Sequence, residues 1–247
     1  MILKSVEEIA IMREAGRIVA ECHALIAEQI KPGITTLEID RMIEEYIRSK
    51  GATPSFKGHH GFTASICVAR NDVICHGFPD NVPLLDGEVV TLDVGAYYKG
   101  FHGDSGWTYA IGDVSSDIKA LMDACKEGLY LGIERAVVGN RIGDIGHVID
   151  LHAQRHGYGN VREFTGHAIG KDLWEEPAVP HYGKEGTGPQ LKSGLVLAIE
   201  PMFTLGDWRS YVESDGWTAR TKDQSICVQY EHTVAITDNG PEILTVL

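Results

Sequence analysis

Three acidic residues interrupt runs that otherwise read as apolar strands. Asp93 lies in Val89-Val90-Thr91-Leu92-Asp93-Val94, Glu200 ends Leu195-Val196-Leu197-Ala198-Ile199-Glu200, and Glu231 divides Cys227-Val228-Gln229-Tyr230 from His232-Thr233-Val234-Ala235-Ile236. A lone carboxylate taken from water costs several kcal/mol unless it is paired, protonated or bound to a cation, and these windows contain no Lys or Arg. A divalent metal is the simplest partner. Asp104 stands eleven residues after Asp93, and the intervening Ala96-Tyr97-Tyr98-Lys99-Gly100 reads as a hairpin turn that folds the second acid back onto the first. His167, in Thr165-Gly166-His167, brings the set to four carboxylates and one imidazole. Two divalent ions would cancel four carboxylate charges. Oxygen-rich ligation with one nitrogen suits Mn, Fe(II) or Co, with Zn less favoured, and such a pair can make hydroxide near neutral pH. Taken singly, each residue has an ordinary role open to it: Asp104 as a turn cap, His167 as a satisfied core histidine, Glu231 as a partner of His232.

The elements that must position these groups are legible from periodicity. Ile9, Met12, Ala15, Val19, Cys22, Ile26 and Ile30 recur at helical spacing over residues 5–30, after Ser5 with Glu8 three positions on. Lys31-Pro32-Gly33 breaks that helix. A second runs from about Thr36 to a stop at Gly51, with Ile39, Ile43, Tyr46 and Ile47 inward. Strands follow to about Ala110, then a second helical pair at 116–137 and 143–156, then strands again. Gly33, Ile39, Ile43 and Gly51 align with Gly139, Ile145, Ile149 and Gly157 at a constant offset of 106, which carries Asp93 to within one residue of Glu200. The pattern suggests an old duplication, with halves of about 5–112 and 113–247 within a single unit of 1–247. Two helix-helix-strand halves about a pseudo-twofold axis would form an α+β molecule with a curved antiparallel sheet inside, helices outside and the site between halves.

Composition narrows the function. The 247 residues, 43% hydrophobic, suffice for a large core. The formal charge of -13 argues against nucleic acid and against a basic membrane surface. Five cysteines without a tight CxxC pair indicate reduced thiols rather than disulfides. The first residues lead straight into a helical pattern, and no run approaches the ~18 apolar residues of a membrane span, so a cytoplasmic location is expected.

The order of the motifs is specific as a set. Asn71-Asp72-Val73-Ile74-Cys75-His76-Gly77, Leu92-Asp93-Val94 with Gly103-Asp104, Thr165-Gly166-His167-Ala168-Ile169-Gly170, Ala198-Ile199-Glu200-Pro201 and Glu231-His232-Thr233 resemble type I methionine aminopeptidase in its compact bacterial form. The resemblance covers essentially the whole chain and implies the pita-bread fold, a dinuclear metal centre and removal of the initiator methionine from nascent polypeptides with a small second residue. It implies Asp93, Asp104, His167, Glu200 and Glu231 as metal ligands, with Asp104 and Glu231 bridging both ions. Glu200 would also act as acid/base, and His76 would contact the scissile amide. The methionine pocket would fall on Phe56, His59, Phe62, Cys67, Cys75, Leu173 and Trp217. A monomer is expected, and any ribosome contact would be direct and transient.

One departure concerns a working residue. In Gly170-Lys171-Asp172-Leu173-Trp174-Glu175-Glu176-Pro177, Trp174 stands where the family has a histidine that hydrogen-bonds the substrate carbonyl, a contribution that for comparable donors reaches ~3 kcal/mol. The indole N–H can donate but cannot titrate, and its larger ring could fill the channel or turn outward. His181 is no obvious stand-in. His59 replaces a pocket tyrosine common in related chains. The leading expectation is therefore an aminopeptidase with activity lowered or altered at Trp174. The alternatives are a pita-bread protein that binds a peptide or protein partner without turnover, and a sister peptidase acting at proline bonds.

Overall fold

Ser5 caps the first helix through a reciprocal box: its hydroxyl accepts from the Glu8 N–H at 3.2 Å, and the Ser5 N–H donates to Glu8 Oε2 at 2.9 Å. The computed structural model describes all residues, 1–247, with four helices: α1 (Val6–Gln29), α2 (Thr36–Ser49), α3 (Ser116–Glu134) and α4 (Ile142–His156). α3 ends three residues earlier than its periodicity suggests, because Arg135 caps it and Val137 already bonds back to the Arg135 carbonyl. No helix is long and apolar enough to cross a membrane.

The two helical hairpins are tied to their sheets in the same way. Gly33 N–H donates to Leu84 O and Leu84 N–H to Ile34 O, both at 2.8 Å; Gly139 N–H donates to Leu191 O at 3.1 Å and Leu191 N–H to Asn140 O at 2.7 Å. Gly33 and Gly139 adopt φ of +96° and +94°, and Gly51 and Gly157 adopt +74° and +76°. Only glycine takes such angles without strain.

Every strand pairing is antiparallel. In the first half, Val89–Tyr98 pairs on one edge with Thr53–Pro54 and Ile66–Arg70, and on the other with Phe101–Ala110. In the second, the order is Gly240–Ile243, His232–Thr237, Val196–Ile199, Gly166–Ala168, Glu175–Val179. Smaller three-stranded sheets carry Val73–Cys75 and Cys227–Gln229. This is the pita-bread α+β architecture. Each half has its own apolar core between helices and sheet, with Ile26, Ile39, Ile43 and Leu92 in one, and Leu129, Ile145, Ile149 and Leu197 in the other. Fully burying one such side chain contributes about 1.5–3 kcal/mol.

The halves meet along Phe101–Ala110. Glu231 N–H donates to Gly106 O at 2.8 Å, Ser105 Oγ donates to Glu231 O at 2.6 Å, and Thr233 Oγ1 both accepts from Asp104 N–H and donates to Asp104 O. Close approach is possible on the other face too: a Cβ at Gly103 would lie 2.7 Å from the Gly16 nitrogen of α1.

Candidate metal centre and active site

Asp93 and Asp104 are brought together by strand parity. Their hairpin is tighter than the sequence suggests, since Ala96, Tyr97 and Tyr98 belong to the strand and only Lys99-Gly100 turns, at φ +48° and +92°. Asp93 lies opposite Gly106 and Asp104 opposite Gly95, so both acids share one face of the ribbon. Gly106 leaves room there: its Cβ would meet Glu231 Oε2 at 3.2 Å.

Glu200 and Glu231 are not inside strands. Each sits where a strand has just broken, because its backbone is engaged elsewhere: Glu200 N–H donates to His181 Nε2 at 3.0 Å, and Glu231 N–H bonds the crossing strand at Gly106. Glu231 does not pair with His232, whose Nδ1 bonds Thr245 Oγ1 at 2.7 Å. His167 donates through Nδ1 to Ala168 O at 3.0 Å, which turns the Nε2 lone pair inward, 3.9 Å from Asp104 Oδ2 and 3.7 Å from Glu200 Oε1. Ligand atoms of Asp104, His167 and Glu231 all lie within 4.8 Å of one another.

The electrostatics favour a bound cation. Asp104 is 2% and Glu231 1% exposed. Burial, and then the charges of the neighbouring acids, push Asp104, Glu200 and Glu231 well above the usual carboxylate range. Burial raises Asp93 to about 7, against the opposing effect of hydrogen bonds from Asp104 and the Val94 backbone. Oδ1 of Asp93 and Oδ1 of Asp104 are buried without any hydrogen-bond partner. Such orphaned acceptors are rare in native proteins, and a divalent ion satisfies them while favouring the ionised carboxylates. The residues present therefore fit a metal centre.

These groups line one cavity. Of the expected pocket residues, Phe56, His59, Phe62, Cys67 and Trp217 line it as well. Phe62 is held between Phe78, stacked at 4.6 Å, and the edge of Trp217 at 5.1 Å. Cys75 and Leu173 do not reach the cavity: Leu173 is buried behind its wall with Phe56 and Phe62, and Cys75 faces the adjoining groove. His76 takes φ +58° at the end of its strand, an uncommon angle for a side-chain-bearing residue, and this aims its ring between Phe164 and Trp217. Burial lowers its pKa to about 4.

Trp174 neither fills the cavity nor turns away from it. It is 41% exposed and stands at the mouth, lining both the cavity and a groove past Glu163, Phe164 and Met202. Its ring meets His59 edge-on at 4.6 Å and stacks on His60 at 5.9 Å. The supporting roles of three residues escaped the sequence reading, which considered His181 only as a stand-in for the missing histidine. His181 is fully buried behind Glu200; Gln229 donates to Glu200 Oε2 at 3.1 Å; Thr233 pins Asp104. Gln229 alone left a signal, standing two residues before Glu231 in a strand-like run, where residues i and i+2 face the same way.

Residues 10–238 match the model of metallopeptidase family M24. The chain is 46% identical over 245 residues to methionine aminopeptidase 1 of Bacillus subtilis, covering 99% of each, and 46% identical over 247 residues to the methionine aminopeptidase of Clostridium perfringens, covering 100% of this chain and 99% of that one. The crystal structure of methionine aminopeptidase from Rickettsia prowazekii superposes over the full length of both chains with a TM-score of 0.98 at 36% identity. A prolidase from Pyrococcus furiosus shares the fold, at a TM-score of 0.80 and 24% identity. The chain belongs to metallopeptidase family M24. Within that family the relatives it matches over its full length are methionine aminopeptidases.

Proposed function

We propose that this chain is a metalloaminopeptidase that removes N-terminal methionine from nascent proteins and peptides with a small second residue. The observation that carries the reading is the convergence of four carboxylates, those of Asp104 and Glu231 buried and those of Asp93 and Glu200 half-buried, and the His167 Nε2 lone pair beside a pocket walled by Phe56, Phe62 and Trp217. The curated relatives, named methionine aminopeptidases, support it. Asp93, Asp104, His167, Glu200 and Glu231 are the proposed ligands of two divalent ions, with Mn, Fe(II) or Co suiting the donors better than Zn. When bound, such ions supply Lewis acidity at the amide carbonyl and lower the pKa of water.

The protein's own residues supply the rest. Glu200, steadied by His181 and Gln229, takes a proton from the attacking water and delivers it to the leaving amine. His76 contacts the scissile amide. Aromatic walls and Cys67 accept the unbranched thioether side chain. The Trp174 N–H, without a partner in the protein, is the donor available to the substrate carbonyl where related enzymes use a histidine; being unable to titrate, it offers one fixed hydrogen bond. The reading further takes residues 5–112 and 113–247 as duplicated halves of one catalytic unit, and the protein as a cytoplasmic monomer with transient ribosome contact. The competing reading, a binding protein without turnover, rests on Trp174 alone.

The test is methionine release from Met-Ala-Ser by metal-free protein resupplied with Mn, Fe(II) or Co. Turnover should depend on metal, vanish in Asp104→Ala, and rise in Trp174→His. No release from either the chain or Trp174→His, with metal bound stoichiometrically, would overturn the assignment.

A further inference from the structure

Outside the catalytic cavity, the hairpin of α3 and α4 carries a second set of convergent donors. Ligand atoms of Glu127 on α3 and of His152 and His156 on α4 lie within 4.8 Å of one another. The histidines are four residues apart, so they stand one above the other on a single helix face, with ring centroids 4.6 Å apart. Glu127 Oε2 reaches across from the neighbouring helix to 3.8 Å from His152 Nε2.

The three differ in freedom in a way that suits a site. His152 is buried, its ring against Phe203 and its Nε2 3.1 Å from Ala124 O. His156 and Glu127 are exposed, and apart from each other and His152 neither has a polar partner in the protein. The His156 ring lies against His152 and stacks more loosely on Tyr158 at 6.1 Å. Donors around a tetrahedral ion stand roughly 3.4 Å apart, a closure that these two exposed side chains can make by rotamer change. The Ala124 carbonyl, if His152 Nε2 turns to a metal, keeps its bond within the α3 ladder.

We propose that Glu127, His152 and His156 form a second metal site, taking a borderline divalent transition ion such as zinc and tying α3 to α4. Two imidazoles and one carboxylate select such an ion over Mg or Ca, which prefer oxygen ligands. Its occupancy stabilises the second half of the molecule and takes no part in turnover.

The metal-free protein would be titrated with zinc alone by calorimetry and thermal unfolding, in the unmodified chain, Asp104→Ala, and Asp104→Ala combined with either His156→Ala or Glu127→Gln. Asp104→Ala should retain a zinc equivalent that raises Tm by a few degrees. Either added change should weaken that equivalent by more than roughly tenfold and remove the rise in Tm. His156→Ala and Glu127→Gln alter exposed side chains, so the metal-free Tm should stay unchanged, and methionine release by the single His156→Ala variant should too. Identical zinc binding with and without His156 and Glu127 would overturn the proposal. Because the readout is zinc bound on the helical hairpin, this outcome is independent of whether the main cavity releases methionine.

Discussion

At the scale of single residues, the site depends on groups that leave space as much as on groups that bind. Gly106 faces Glu231, and a methyl group there would press on Glu231 Oε2 at 3.2 Å. Gly106→Ala should therefore cut methionine release by at least about tenfold, a loss of roughly 1.4 kcal/mol in transition-state stabilisation, while Tm falls by only a few degrees. Steady-state kinetics beside thermal unfolding would check it, and unchanged kinetics would refute the crowding argument. His23 carries a different liability. Its Nδ1 bonds Tyr109 OH at 2.9 Å and its Nε2 bonds Ser105 O at 2.8 Å, and burial lowers its pKa to about 4 from an ordinary 6.5. The unfolded chain then binds one more proton than the folded chain between those values. Stability is complete above pH 6.5 and falls as pH drops towards 4, at up to about 1.4 kcal/mol per pH unit for this proton. His23→Gln should flatten the urea-unfolding profile over that window by close to one proton.

Among the elements, the segment before α1 secures the loop that carries Trp174. Lys4 Nζ and Glu175 Oε2 form an ion pair at 2.6 Å with side chains 2% and 3% exposed, while Glu175 Oε1 accepts from the Lys171 N–H at 3.1 Å. Removing one partner leaves the other charge buried and uncompensated, so Lys4→Ala should cost about 3–5 kcal/mol. The double change Lys4→Met with Glu175→Leu should recover most of that stability, because neither charge then remains. Urea denaturation of the three proteins would separate the outcomes. A double variant as unstable as the single one would mean that the loop's packing, rather than the lost charge balance, sets the cost.

In the whole molecule, the cavity lies where the two halves meet, and its four carboxylates repel one another unless a cation intervenes. Metal removal should thus loosen the joint between halves as well as stop turnover. Stripping divalent ions with a chelator is expected to lower Tm by several degrees and to speed amide exchange at Asp104 and Glu231, whose N–H groups bond across the joint to Thr233 Oγ1 and Gly106 O. Readdition of Mn or Co should reverse both effects. Equal exchange at these amides with and without metal would show that the backbone hydrogen bonds alone hold the halves.

Local physical chemistry was enough to reveal the helices, because a 3.6-residue period, the Ser5–Glu8 cap and the glycine stops are all nearest-neighbour signals. It was also enough to single out Asp93, Glu200 and Glu231, since an unpaired acid in an apolar run is anomalous wherever the chain goes. The hairpin reading also anticipated that Asp104 folds back onto Asp93, although the turn proved shorter than it read and only the register placed both acids on one face. What the chain could not reveal locally was set by contacts between residues far apart in sequence. His181 backing Glu200, Thr233 clamping Asp104, Leu173 sinking behind the wall, and the backbones of Glu200 and Glu231 leaving their strands all depend on partners from other elements. Trp174 is the sharpest case: its identity was plain, but whether it filled the cavity or roofed its mouth depended on His59 and His60 folding over from more than a hundred residues away.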